Sequence, residues 1–167
     1  GISVTESGSG LQILLLPGQA GTHAAGRVST SAYRMRGGTS SVRVNAASGD
    51  GAVTCFAMVA GPRRWFRFCV WKGQLYFQVN VDGKVRGSSM AYDARSCRFW
   101  RFRHDADRGV VYWETSADRT EWQTADVAAA GPSIDDVRFE LSAGTVAPAE
   151  DPGAVEFDAL DVVASGG

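Results

Sequence analysis

The strongest constraint on this chain is a two-residue rhythm. From Trp65 to Trp71 the apolar Phe66, Phe68 and Val70 alternate with Trp65, Arg67, Cys69 and Trp71. From Gln74 to Val81 the apolar Leu75, Phe77, Val79 and Val81 alternate with Tyr76, Gln78 and Asn80. A period of two sends successive side chains to opposite faces of an extended strand, whereas a helix needs 3.6. The same reading predicts strands over 2–6, 11–16, 31–36, 41–45, 52–60, 65–71, 74–81, 84–90, 98–104, 110–115, 122–127, 137–142 and 154–164. Turn-forming residues separate them, and Lys72-Gly73 and Asp82-Gly83 read as tight hairpin turns, with Asp-Gly supplying the positive φ of a type I′ turn. Stretches 17–25 and 143–153 read as surface loops, and 125–132 as the one candidate helical turn. Many short strands without interleaved helices imply an all-β sandwich or barrel.

With 167 residues, 44% of them hydrophobic, the chain suits one domain with a sizeable core. A net charge of -1 argues against nonspecific nucleic-acid binding, which needs a strong basic excess. No stretch approaches the roughly 18 apolar residues of a membrane-spanning helix. The first residue, Gly1, fits a mature product or a domain of a larger protein. Cys55, Cys69 and Cys97 form no CxxC pair; the reading favours buried free thiols and leaves any disulfide open.

Parity also sorts the candidate site. Trp100, Phe102, Val111, Trp113, Val42, Val44, Val137, Phe139 and Leu141 belong to core faces. If their strands share one sheet, an outer surface carries Trp65, Arg67, Trp71, Tyr76, Gln78, Asn80, Arg101, Arg103, Tyr112 and Glu114. Aromatic faces among amide and guanidinium groups suit a sugar, whose C–H faces pack on rings while its hydroxyls need planar polar partners. Glu114 is expected to pair across strands with Arg101 or Arg103.

The segment 97–122 contains Trp100-x-Arg, then a turn, then Ser116-x-Asp118 and Trp122; Val155-Glu156-Phe157-Asp158 closes the chain, and Gly73-Gln74-Leu75-Tyr76-Phe77 forms a mid-chain hairpin. This pattern resembles the concanavalin A-like lectin/glucanase superfamily, including its laminin G-like modules of bacterial and phage surface proteins. The resemblance implies a two-sheet antiparallel jelly-roll sandwich. It does not imply one activity, because lectins, glycosidases, adhesion domains and phage appendages share that fold. Where such modules carry Asp-Gly, this chain has Asp118-Arg119, so an altered turn is expected. Trp100 and Trp122 are expected in the core.

Glycosidases of the superfamily often carry Glu-x-Asp-x-x-Glu. Here Glu156-Phe157-Asp158-Ala159-Leu160-Asp161 ends in the shorter acid on the closing strand. His23 and His104 come with no GxSxG, P-loop, GxGxxG or HExxH. Asp105 and Asp107 offer only two oxygen ligands for calcium and read better as turn residues. The sequence therefore points to a non-catalytic module binding a glycan or cell-surface polysaccharide without a cofactor. It would be carried with other domains on an extracellular, cell-surface or virion-surface protein. A structural, assembly or adhesion domain is the second reading, and a remote glycoside hydrolase using Glu156 and Asp158 is the third.

Overall fold

β-Branched and aromatic residues in alternation, punctuated by Gly turns, leave little but strand for the backbone to adopt. The computed structural model describes residues 2–8, 10–49 and 51–164. Its strands are β1 (Ser3–Ser7), β2 (Gly10–Leu14), β3 (His23–Val28), β4 (Thr39–Ala46), β5 (Ala52–Gly61), β6 (Arg64–Trp71) and β7 (Gln74–Val81). They continue as β8 (Lys84–Ala91), β9 (Phe99–Asp105), β10 (Val110–Ser116), β11 (Gln123–Ala129), β12 (Arg138–Thr145) and β13 (Ala154–Val163). A seven-stranded sheet runs β1-β2-β13-β4-β9-β10-β11, and a six-stranded sheet runs β3-β12-β5-β6-β7-β8. All pairings are antiparallel. The protein is an all-β sandwich of two sheets.

The inner faces supply the core. Phe56 and Phe68 of the six-stranded sheet meet Phe102 of the other at 5.0 and 4.9 Å between ring centroids, and Phe68 stacks on Trp100 at 5.4 Å. Burying one such aromatic contributes about 1.5–3 kcal/mol, so this cross-sheet cluster holds the layers together. Trp113, inward on β10, donates its indole N–H to the carbonyl of Arg67 on β6 at 3.1 Å. The core thereby pins the backbone of an outward-facing residue.

The two hairpin turns form as expected: Lys72 and Gly73 have φ of 49° and 71°, Asp82 and Gly83 of 54° and 87°. Four local expectations fail. Residues 31–36 make only an isolated bridge, Tyr33 to Val137, while β3 begins inside the stretch 17–25 read as a loop and runs on to Val28. Its Ala- and Gly-rich sequence has no alternation; pairing with β12 orders it. Residues 125–129 are strand, held by β10, and a 3-10 turn follows at Pro132–Asp135. Trp122 lies half-buried on the outer side under Arg101 instead of in the core.

Candidate ligand-binding groove

The ten outward residues read from the sequence do not share a surface. Trp65, Arg67, Trp71, Tyr76, Gln78 and Asn80 belong to β6 and β7 of the six-stranded sheet. Arg101, Arg103, Tyr112 and Glu114 belong to β9 and β10 of the seven-stranded sheet. The outer faces of a sandwich point in opposite directions, so the single-sheet premise is corrected to two separate faces.

The face on the seven-stranded sheet is occupied by its own side chains. Glu114, buried, accepts from Arg101 at 2.6 Å and from Arg103 at 2.9 Å. Arg101 stacks on Trp122 at 3.9 Å, and Arg103 on Tyr112 at 4.2 Å. The expected cross-strand ion pair is present, extended to both arginines. Glu156 and Asp158 face outward from this same sheet, where Gln12 donates to Glu156 at 2.9 Å and Arg43 pairs with Asp158. A bulge separates Asp158 from Asp161, with Ala159 at φ 50°.

The other face is different. Strand registers set its outward residues in rows running across all six strands. One row is Val28, Glu140, Ala57, Arg67, Gln78 and Gly87; the next is Gly26, Ser142, Cys55, Cys69, Tyr76 and Ser89. Trp71 follows on β6 beside Val53. Three depressions of about 440, 280 and 290 Å³ share lining residues along these rows and merge into one groove. Val53, Cys55 and Arg67 join the first to the second, and Tyr76 and Gln78 join the second to the third.

Cys55 and Cys69, directly opposed on β5 and β6, form a disulfide with Cα atoms 4.3 Å apart on the groove floor. Cys97 alone keeps the buried free thiol that the sequence reading favoured for all three. Beside the bridge, Arg67 donates through Nε and Nη2 to Gln78 Oε1 at 3.1 and 2.7 Å and lies over Trp65 at 4.4 Å. Burial holds its guanidinium below the usual arginine value, while Glu140, across Ala57, opposes the shift. Trp71 and Tyr76 stand 6.4 Å apart, tilted, at the middle of the groove. The core indoles of Trp100 and Trp113 donate to carbonyls, but Trp71 Nε1 has no acceptor among the described residues.

Asn80 leaves the candidate set. It is buried, and its Oδ1 accepts the Gly83 N–H at 2.8 Å, which fastens the β7–β8 turn. Asp105 likewise serves its turn, with Oδ1 accepting from the backbone of Asp107 and Arg108. Among the described residues no three His, Cys, Asp or Glu side chains gather as metal ligands. Sequence reasoning missed Glu140 and the bridge as site features. Both were legible as outward positions; what parity could not supply was their place beside Arg67.

No family model and no curated protein matches the sequence. Solved structures do match in shape. A functionally unknown protein from Saccharomyces cerevisiae superposes with a TM-score of 0.66 at 17% identity, over 99% of this chain and 93% of that one. A lectin from Bauhinia forficata, solved in complex with GalNAc, gives 0.58 at 10% identity, over 97% and 90%. The chain has the concanavalin A-like lectin/glucanase fold. The Bacteroides ovatus xyloglucan-locus protein GH43B also contains it, with a TM-score of 0.59 at 15% identity over 92% of this chain; the match spans only 33% of that protein. Within the concanavalin A-like fold, lectins and glycoside hydrolases stand side by side, so the fold does not choose between them.

Proposed function

We propose that this is a non-catalytic carbohydrate-binding module of a larger extracellular or surface protein, and that a glycan chain lies along the groove of the six-stranded sheet. One observation carries the reading: Trp71 and Tyr76 stand beside the Arg67–Gln78 pair in one continuous open groove. Rings receive the C–H faces of a sugar, while guanidinium, amide and the Glu140 carboxylate serve its hydroxyls. The groove spans three merged depressions, which suits several linked residues better than a single monosaccharide. Glu140 is the one carboxylate among the described groove-lining residues, and two-carboxylate hydrolysis needs a pair about 5–10 Å apart. The Cys55–Cys69 bridge fits an oxidising compartment.

The test is a broad glycan array followed by calorimetry. Saturable binding to a polysaccharide is expected, weakened at least about tenfold by Trp71→Ala or Tyr76→Ala, with both variants still unfolding cooperatively. A blank array, or binding that ignores both substitutions, would overturn the proposal. One observation favours an assembly or adhesion role: Val28, Val85 and Val146 are each 53% exposed and line the same groove. Self-association abolished by Val146→Asp, together with a blank array, would establish that second reading.

A further inference from the structure

A second concavity adjoins the end of the groove, sharing Arg86 of β8 with it, where the free edges of the two sheets face each other. It measures about 650 Å³ and is lined from β8 by Lys84 and Arg86, from β6 by Arg64, and from the β11 side by Ala129 and Gly131. Ser88 of β8 donates to Asp126 of β11 at 2.7 Å, so the two edges are tied together close by.

The cleft is strongly cationic in a chain whose net charge is only -1. Arg64, Lys84 and Arg86 line it, and Arg63 stands at its rim over Gly83, held by the carbonyl of Asp82. None of these four makes an ion pair among the described residues, whereas Arg27, Arg36, Arg43, Arg101, Arg103, Arg108 and Arg119 all do. Of the carboxylates on these strands, Asp82 lines the cleft and Asp126 is engaged by Ser88.

Arg64 is seated with some specificity. Its Nη2 donates to the carbonyl of Ala130 at 2.5 Å. The guanidinium rests over Gly131, whose φ of 69° favours glycine and whose missing Cβ leaves room for Nη2. Its Nε is buried without an acceptor. A buried donor without a partner costs about 1–3 kcal/mol, and Arg64, Lys84 and Arg86 against the single carboxylate of Asp82 leave the lining net positive. An anion relieves both.

We propose that this edge cleft is a second binding site, for a tetrahedral oxyanion carried as a sulfate or phosphate ester. Arg64 supplies directed N–H donors at the back of the cleft, as a guanidinium does for planar or tetrahedral oxyanions. Lys84 and Arg86 supply charge from the exposed edge strand. The site shares Arg86 with the end of the groove, but Arg64 and Lys84 belong to the cleft alone, and Trp71 and Tyr76 do not line it.

Calorimetry with three probes tests it: inorganic phosphate, inorganic sulfate and a sulfated hexasaccharide, at low and high salt. Saturable, salt-sensitive 1:1 binding of at least one probe is expected, and which probe binds tightest identifies the source of the oxyanion. Lys84→Gln/Arg86→Gln, two exposed positions, is expected to weaken it at least about tenfold. Arg64→Lys keeps the charge but removes the fork, and is expected to weaken it about tenfold. Trp71→Ala leaves it unchanged, so failure of the groove and failure of the cleft are read separately. No saturable binding of any probe, or binding indifferent to the β8 double substitution, overturns the proposal.

Discussion

His104 closes the inward row of β9 after Trp100 and Phe102, and its Nδ1 accepts the Gly37 N–H at 2.9 Å. The ring proton therefore sits on Nε2, and protonating Nδ1 would break that bond. Burial, and then the nearby Arg36, hold its pKa below the usual histidine value, with Asp105 and Asp135 opposing. An unfolded histidine titrates near 6.5. Between that value and the lower folded one the unfolded chain binds more protons, so stability is complete above about pH 6.5 and declines as pH falls through the window. His104→Asn keeps an acceptor for Gly37 without titrating. Urea midpoints are expected to drop from about pH 7.5 to about pH 5 in the parent and to stay flatter in the variant; parallel slopes would refute this. Single residues also show where sequence reading stops. Arg119 was expected to alter its turn, yet it takes φ 69°. Ser116 Oγ accepts its N–H at 2.9 Å and Asp118 accepts from Thr120 and Glu121, while its guanidinium reaches Asp161 at 2.9 Å. A side-chain bond spanning 42 positions, such as that to Asp161, does not show in the turn sequence.

At the scale of elements, the β5–β6 hairpin shows both what was legible and what was overlooked. Parity put Cys69 outward, but pairing the strands about Pro62-Arg63, with Gly61 opposite Arg64, would by itself set Cys55 opposite Val70; a bulge between Val59 and Gly61 shifts the register by one and sets Cys55 opposite Cys69, with Phe56 opposite Phe68 and Ala57 opposite Arg67. The disulfide therefore depends on a bulge that neither the cysteine count nor the turn position reveals, which is why the sequence left it open. The ladder already joins these strands, so the bridge stabilises chiefly by restricting the unfolded chain. For its sequence separation of 14 the entropic model gives about 3 kcal/mol. Cys55→Ala/Cys69→Ala is expected to lower unfolding free energy by about 2–4 kcal/mol while leaving the far-ultraviolet circular dichroism of the strands unchanged. Loss of the strand signal would mean that the bridge, rather than the ladder, holds the hairpin. β3 is the contrasting element. His23–Val28 carries no alternating pattern and becomes strand because β12 offers a free edge, a tertiary cause that no local window contains.

At the scale of the whole molecule, two outer faces with similar compositions do different work. Parity names the outward residues of each strand but not the sheet to which the strand belongs. That choice is made by the core, where β9 inserts between β4 and β10 and places Trp100 and Phe102 against Phe68. Arg101 and Arg67 look alike in sequence, each flanked by aromatics, yet one is consumed by Glu114 and the other lies open to a groove. The difference is measurable. Glu114→Gln leaves Arg101 and Arg103 without their shared carboxylate, whose side chain is 5% exposed. Removing one partner of a buried pair costs about 3–5 kcal/mol; the partly exposed arginines reduce this to about 2–3 kcal/mol. Glu114→Gln is thus expected to shift the denaturant midpoint strongly and leave glycan affinity intact, while Trp71→Ala does the reverse. If both substitutions moved both quantities together, the faces would be coupled through the core. The route is already in place, because Trp113 on β10, neighbour to Glu114, donates to the backbone of Arg67 across the sandwich.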